Sequence, residues 1–352
     1  MQKGTALVVG ATGLTGGNLA SYLVTQGWTV YGLSRSGTEQ QGGISISADL
    51  LDSEATQKAL AGLSVSHVFY CTWVRRDTEK ENVSANSTMM RNLFNALDSD
   101  NIKHASLVTG TKQYLGSFET YGSGRIETPF RESEPRVPGD NFYYVLEDVL
   151  FEAASQHSFT WNVHRPHTVI GYARGNLMNM GTTIAVYASI CKATGRAFTF
   201  PGSKTQWNAL TDMTDAGLLA RQIEWAATMS GAANQAFNTV NGDVFRWRRM
   251  WQEIGDYFGL DVAPCPDTPE PLESQMADID STWRDIAQKH DLVEPDVTRL
   301  ASWWHTDADL GREQECVNDT TKSRDFGFDG FRETRGAFFN LFDRLRAEKI
   351  IP

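Results

Sequence analysis

The sequence predicts an α/β fold: a doubly wound parallel sheet in the first half of the chain, followed by a smaller, mainly helical lobe. Three observations carry this. Short β-branched runs alternate with helical stretches as far as Pro166, a glycine-rich turn joins the first run to the first helix, and beyond Arg165 the alternation loosens into helices separated by Pro-containing loops.

The strand candidates are TALVV (5–9), TVYGLS (29–34), HVFYC (67–71), ASLVT (105–109) and FTWNVHRP (159–166), all rich in residues that suit a pleated, buried surface. Helices are expected over 14–26, 53–62 and 79–99, with a longer one after Asn141. Strand, helix and strand in succession make βαβ units, and their right-handed crossovers lay the strands parallel. In the second half helices are expected over 176–193, 212–228, 244–258 and 332–348, interrupted by loops such as APCPDTPEP (263–271). The division that follows is 1–165 as a nucleotide-binding domain and 166–352 as mainly a substrate-binding lobe, with some segments returning to the first core. The adjacent pairs Trp303-Trp304 and Phe338-Phe339 suit a thick core or an apolar pocket, core being the default for any single aromatic.

Composition narrows the function. A net charge of -11 without a long basic block argues against a nucleic-acid surface, although a few local cations can still hold an anionic small ligand. The cysteines Cys71, Cys191, Cys265 and Cys316 lie far apart, so neither a disulfide framework nor a zinc ribbon is indicated. No apolar run has the roughly 18 to 20 residues of a membrane span, and Met1 runs almost directly into the first strand, so no membrane partner and a cytoplasmic location are expected. His164 and His167 lack a third ligand, so no metal site is expected. The sequons at Asn82, Asn86 and Asn318 carry little weight in such a chain.

Gly10-Ala11-Thr12-Gly13-Leu14-Thr15-Gly16 lies between the first strand and the first helix. That context, more than the glycines themselves, marks a Rossmann dinucleotide turn: the backbone N–H groups and the helix N-terminus face a pyrophosphate. At the end of the second strand, where an NAD site usually has a carboxylate for the ribose 2′-hydroxyl, the chain reads Ser34-Arg35-Ser36. A guanidinium flanked by two hydroxyls instead suits a 2′-phosphate, which favours NADP(H). Asp49, in SADLLD, is placed either to hold the adenine or to cap the helix at 53–62, and the sequence leaves both open.

Reduction by hydride needs a donor at the oxygen where negative charge develops. Short-chain dehydrogenases use Tyr-x-x-x-Lys, which is absent here: Tyr143 leads to Glu147 and Tyr144 to Asp148. The chain offers Thr109-Gly110-Thr111-Lys112-Gln113-Tyr114 at the end of the fourth strand candidate and Asn141-Phe142-Tyr143-Tyr144 at a helix start. Strand ends on the carboxyl side face the ligand crevice, and a cation there can lower the pKa of a neighbouring tyrosine. Taken singly, Lys112 also fits a surface lysine and Tyr143 a packing residue.

These two segments, TGTK-x-Y and NFYY-x-x-ED, resemble the progesterone 5β-reductase and iridoid synthase-like family of extended short-chain dehydrogenases/reductases. HVFYCTWVRRDTEKEN (67–82), WNVHRP with LMNM (161–166 and 177–180), AFNTVNGDVFRW (236–247) and AEKIIP (347–352) extend the resemblance over essentially the whole chain. It implies Lys112 and Tyr143 as the catalytic pair, with Tyr144 a weaker rival. It also implies cofactor contacts at Gly10, Thr12, Gly13, Leu14, Gly16, Ser34, Arg35, Ser36, Asp49, Leu50, Thr72, Trp73, Thr109, Tyr143, Val169, Asn176, Leu177 and Met178. Phe118 and Phe338 match positions that line the family's substrate pocket, against the competing view of both as core. The chain departs from the family in having Arg35-Ser36 where paired arginines are common, and His167 where glycine is common.

The resemblance implies NADPH-dependent 1,4-reduction of an enone or enal: hydride goes to the β-carbon while Tyr143 and Lys112 stabilise the enolate. The partner is then a small apolar substrate, and family habit points to a homodimer. Direct 1,2-reduction of a carbonyl, or a non-catalytic NADP(H)-sensing role, remain the alternatives, since a fold alone does not fix a chemistry.

Overall fold

The computed structural model describes residues 3–37, 43–117, 127–173, 175 and 178–352. In chain order the first elements are β1 (Thr5–Val9), α1 (Leu14–Thr25), β2 (Thr29–Ser34), β3 (Ile44–Ser47), α2 (Ser53–Leu60), β4 (His67–Tyr70), α3 (Glu79–Ala96), β5 (His104–Val108), α4 (Lys112–Leu115), α5 (Phe142–His157) and β6 (Thr160–Pro166). There follow β7 (Val169–Ile170), α6 (Met180–Thr194), α7 (Lys204–Asn208), β8 (Thr214–Asp215), α8 (Ala216–Thr228), β9 (Gln235–Thr239), α9 (Trp247–Phe258), α10 (Leu272–Gln275), α11 (Asp280–His290), α12 (Trp303–Leu310), α13 (Thr321–Asp325) and α14 (Thr334–Ala347).

By packing, the chain divides into two units. The first comprises Met1–His167, Ala216–Thr239 and Asp319–Gly330; the second comprises Thr168–Asp215, Val240–Asn318 and Phe331–Pro352.

In the first unit seven parallel strands form one sheet in the order β3-β2-β1-β4-β5-β6-β9. The order reverses between β1 and β4, which opens a crevice at the carboxyl ends of those strands. β1 and β4 are almost wholly buried runs, as strands covered on both faces must be. α2, α3 and α5 pack side by side, and α1 packs against α8. Two strands of this sheet went unanticipated. β3 (ISIS) and β9 (QAFNT) are short edge strands, and β3 has no buried residue, only exposed ends and a partly buried middle, so neither carries a strong apolar signal. The helix expected over 212–228 is instead the two-residue strand β8 followed by α8. Asn179 caps α6, which therefore starts four residues later than its apolar pattern suggested.

The second unit holds one parallel pair, β7 with β8, and a core rich in aromatic rings. Phe198 stacks on Trp251 with centroids 4.2 Å apart, and Trp247, Trp283, Phe200 and Phe342 are fully buried around the same core. None of the four cysteines is in a disulfide, and Asn82, Asn86 and Asn318 are buried. Among the described residues no helix is long and apolar enough to cross a membrane.

The sheet of the first unit carries three packed imidazoles. His104 sits 6.1 Å from His67, ring to ring, and bonds Thr160 (2.8 Å) and Ser106 (3.1 Å), while His164 meets Gln222 at 3.2 Å. Burial lowers all three below the usual histidine value, His67 and His164 to about 4 and His104 to about 3; Lys103 adds to the effect on His67, and the other two histidines to that on His104. In the unfolded chain these rings take up protons near pH 6.5 or about that value, whereas the folded state takes none until near pH 4. The unfolded state therefore binds more protons across that window, and stability is lost as pH falls through it. Unfolding by denaturant at a series of pH values is expected to show this decline between about pH 6.5 and 4. In His104→Gln the slope should be shallower by up to one proton, about 1.4 kcal/mol per pH unit; an unchanged slope would contradict it.

Candidate active site

At the carboxyl end of β1 the chain turns on Gly10, whose φ of +81° lies in the left-handed region. A β-carbon there would stand 2.7 Å from Thr72 Cβ and 2.9 Å from the Cys71 carbonyl oxygen; one on Gly16 would stand 2.3 Å from the Gly10 carbonyl oxygen. The glycines thus let β1, the loop after β4 and the first turn of α1 close on one another. The cap of α1 is Gly13, which has no side chain to accept from the helix's first N–H groups, whereas α2, α3 and α5 are capped by Asp52, Thr78 and Asn141. Those donors and the positive end of the helix dipole are left for an anion. Thr12 and Leu14 flank this turn, Leu14 buried and Thr12 exposed.

Arg35 and Ser36 are exposed at the end of β2, while Ser34 is buried and its hydroxyl accepts from Gly37 N–H at 3.2 Å. The arginine is therefore an exposed cation at that strand tip, with the exposed Ser36 beside it and the Ser34 hydroxyl turned to the Gly37 backbone. Asp49 is exposed and accepts from Leu51 N–H at 3.0 Å; the cap of α2 is Asp52, which accepts from Ala55 N–H at 2.9 Å. The helix-cap alternative for Asp49 is thereby removed. Leu50 is buried, its carbonyl accepting from Asn92 at 2.8 Å.

After β4, Trp73 stacks on Phe142, centroids 5.1 Å apart. After β5, Thr109 N–H donates to the His164 carbonyl at 2.8 Å, and Thr111 N–H to that of Pro166 at 3.1 Å, so the TGT segment continues the sheet's bonding past the strand. It delivers Lys112 into α4, and here the structure differs from a surface lysine. The Lys112 side chain is 5% exposed and its Nζ lies 2.6 Å from Glu79 Oε1, on a side chain 3% exposed. The ammonium sits 4.2 Å from the Phe142 ring centroid and 5.9 Å from that of Tyr143.

Glu79 is the residue that sequence reasoning missed. Its Oε1 also accepts from Phe142 N–H at 2.8 Å, the first N–H of α5, and its Oε2 from Asn82 at 3.2 Å. From the α5 cap, Asn141 donates to the Lys112 carbonyl at 3.0 Å and accepts from Tyr143 N–H at 3.0 Å. The electrostatic outcome also differs from expectation: the Tyr143 phenol is not lowered but pushed well above the usual tyrosine range, first by burial and then by the Glu79 carboxylate. A cation already neutralised by a closer anion does little to stabilise a phenolate.

The two neighbouring tyrosines have different fates. The Tyr144 hydroxyl donates to the Gln113 carbonyl at 2.8 Å and accepts from Val137 N–H at 2.9 Å. The Tyr143 hydroxyl faces Gly110, where a β-carbon would stand 3.4 Å away, and among the described residues it has no hydrogen-bond partner. Behind them Glu147 binds Arg165 and Arg136, each at 3.0 Å, and Arg165 reaches the Tyr114 hydroxyl at 3.3 Å.

The remaining candidates lie elsewhere. In the second unit Val169 pairs with Thr214 in the two-stranded sheet, and Met178 is half-buried just before α6. Phe338 is a correction: it is fully buried, 6.1 Å from Trp247 and 5.9 Å from Phe342 by ring centroids, a core position with no surface for a ligand. Phe118, Asn176 and Leu177 lie outside the described residues. Among the described residues no group of three or more His, Cys, Asp or Glu side chains is arranged to hold a metal ion.

Residues 42–352 match the model of the PRISE-like Rossmann-fold domain. The chain is 40% identical to (S)-8-oxocitronellyl enol synthase of Nepeta racemosa and 36% identical to 3-oxo-Delta(4,5)-steroid 5-beta-reductase of Arabidopsis thaliana, in both cases over 99% of this chain and 94% of the relative. Among solved structures it resembles UDP-glucose 4-epimerase of Thermotoga maritima with UDP-glucose (TM-score 0.69, 12% identity, 97% of this chain and 99% of that chain). It likewise resembles UDP-glucose 4-epimerase of Thermus thermophilus in complex with NAD (TM-score 0.66, 15% identity, with the same coverage of 97% and 99%). At such identities the structural likeness shows the fold.

The glycine turn makes a graded prediction. In Gly16→Ala the new methyl meets a backbone carbonyl that cannot swing aside, so a loss of about 1–3 kcal/mol in stability and of dinucleotide binding is expected. Gly17→Ala, whose β-carbon would stand 3.2 Å from the Ala11 carbonyl oxygen, should be much milder. Thermal unfolding and calorimetric titration with NADPH check the order, and equal effects at both positions would contradict it.

Proposed function

Because the chain belongs to the family of PRISE-like Rossmann-fold proteins, we propose that it is an NADPH-dependent oxidoreductase that adds hydride to the β-carbon of a C=C bond conjugated to a carbonyl. The observation that carries this is the approach of Lys112 and Tyr143 beside the end of β5, in a chain related end to end to such proteins. The relatives' names support the reaction type. An enol is what 1,4-hydride addition to an enal yields, and a 4,5-double bond beside a 3-oxo group is a conjugated enone.

The residues fit the dinucleotide. Gly10, Thr12, Gly13, Leu14 and Gly16 would hold the pyrophosphate against the open end of α1. Arg35, with Ser36 and Ser34 beside it, would take a 2′-phosphate, and none of the described residues at the end of β2 is a carboxylate. Asp49 and Leu50 would take the adenine, and Thr72, Trp73 and Thr109 line the ends of the neighbouring strands. The reduced nicotinamide, when bound, supplies the hydride. Selection of the substrate is assigned mainly to the second unit.

Negative charge gathers on the carbonyl oxygen as the β-carbon is reduced, and the Tyr143 hydroxyl is the donor that meets it. Its raised pKa keeps the proton in place through the ordinary pH range. Lys112 holds a buried positive charge beside the ring without having to ionise it. Tyr144, with both its hydrogen bonds used, fixes α5 rather than the substrate.

Purified protein with NADPH and a panel of a cyclic enone, a steroid enone and a monoterpene dialdehyde is expected to give saturated carbonyl products by mass spectrometry and NMR. Tyr143→Phe should lower kcat by about a hundredfold or more, and Arg35→Ala should erode the preference for NADPH over NADH by roughly tenfold. Allylic alcohols as products would mean 1,2-reduction, and NADPH binding without turnover of any member would overturn the enzymatic reading.

A further inference from the structure

We infer that Glu79 is a positioning residue for this chemistry: from α3 it ties Lys112 of α4 to the first N–H of α5, and by neutralising Lys112 it keeps Tyr143 a hydroxyl donor rather than a phenolate. The inference rests on the proposed role of Tyr143 and concerns how that role is set.

Geometry carries it. One carboxylate oxygen of Glu79 meets two donors from different elements, the Lys112 ammonium at 2.6 Å and Phe142 N–H at 2.8 Å, and the other oxygen is held by Asn82 at 3.2 Å. The carboxylate therefore cannot move without releasing either the ammonium or the end of the helix that bears Tyr143. It also sits at the positive end of α5, where a negative charge is stabilised.

Among the described residues the charged groups around Tyr143 are few. Lys112 comes from α4 and Glu79 from α3, while Gly110, in the turn after β5, has no side chain. On α5 itself Glu147 turns to Arg165 of β6 and to Arg136, and Asp148 also binds Arg136 at 2.8 Å. The ring thus sees a neutral pair instead of an isolated ammonium. An unpaired cation at that distance would pull the phenol's ionisation down; the pair does not.

The test reads tyrosinate by ultraviolet absorbance as pH is raised, each protein being compared with the same protein carrying Tyr143→Phe so that the other tyrosines cancel. For the wild type the difference should show no tyrosine ionising at or below the ordinary value of about 10. In Glu79→Gln, which keeps the shape of the side chain, the Tyr143 transition should move down by about one unit or more, and the alkaline limb of kcat should move with it. Glu79→Asp keeps the charge but draws it back by one methylene; its transition should shift the same way by less, which carries the test if Glu79→Gln does not fold.

A merely structural glutamate would lower the unfolding temperature and leave the transition where it was. That result in either folded variant overturns the inference. The titration needs neither cofactor nor substrate, so a lack of enone reduction would count against the proposed reaction and not against the role of Glu79.

Discussion

The buried pair of Glu79 and Lys112 is the constraint on which the rest of the candidate site depends. Two opposite charges removed from water lose hydration worth several kcal/mol each, and their attraction offsets this only when the geometry is good and the remaining donors and acceptors are satisfied. Here they are: the carboxylate takes three hydrogen bonds from three residues, and the ammonium rests over the Phe142 ring. The consequence is positional. α3, α4 and α5 are far apart in sequence, and one carboxylate joins all three at the end of β5.

Around that anchor the parallel sheet does the rest. Seven strands running one way put every strand-to-helix turn of the first unit at the same edge, so the glycine turn after β1, the Thr72-Trp73 segment after β4 and the TGTK segment after β5 become neighbours without any long loop. Such crowding demands small residues. Gly10 and Gly16 supply them where main chain meets main chain, and Gly110 supplies one where main chain meets the Tyr143 hydroxyl. The same absence of side chains that closes the turns leaves donors uncovered at the start of α1.

Much of this was legible in the sequence because it rests on local pattern. β1 and β2 are short runs of apolar and β-branched residues joined by a helix, and the glycine turn is recognised by its flanks. Lys112 and Tyr143 came from the segments around them. Glu79 could not be found that way. In the run Glu79-Lys80-Glu81 it looks like the first turn of a solvated helix, and the other two behave so, Lys80 exposed and Glu81 completing the capping box with Thr78. Position along the helix, not residue type, sends Glu79 inward. Phe338 failed in the opposite direction, since nothing in the sequence distinguishes a pocket aromatic from one enclosed by Trp247 and Phe342. Asp49 and Asp52 are both plausible caps three residues apart, and only the hydrogen bond to Ala55 tells them apart.

The choice between Tyr143 and Tyr144 shows why hydrogen-bond satisfaction is a better guide to chemistry than proximity to a motif. Successive residues on a helix point about 100° apart, so of two adjacent tyrosines only one can face the strand ends. Tyr144 spends its donor on the Gln113 carbonyl and its acceptor on Val137 N–H, tying α5 to the segment after Lys112 and to the loop before the helix. Freeing that hydroxyl for a substrate would strand a buried carbonyl, a penalty of about 1–3 kcal/mol. Tyr143 carries no such obligation, and its hydroxyl looks onto a glycine. The fixed tyrosine holds the available one in place, and Glu79 and Asn141 hold the same helix start from the other side.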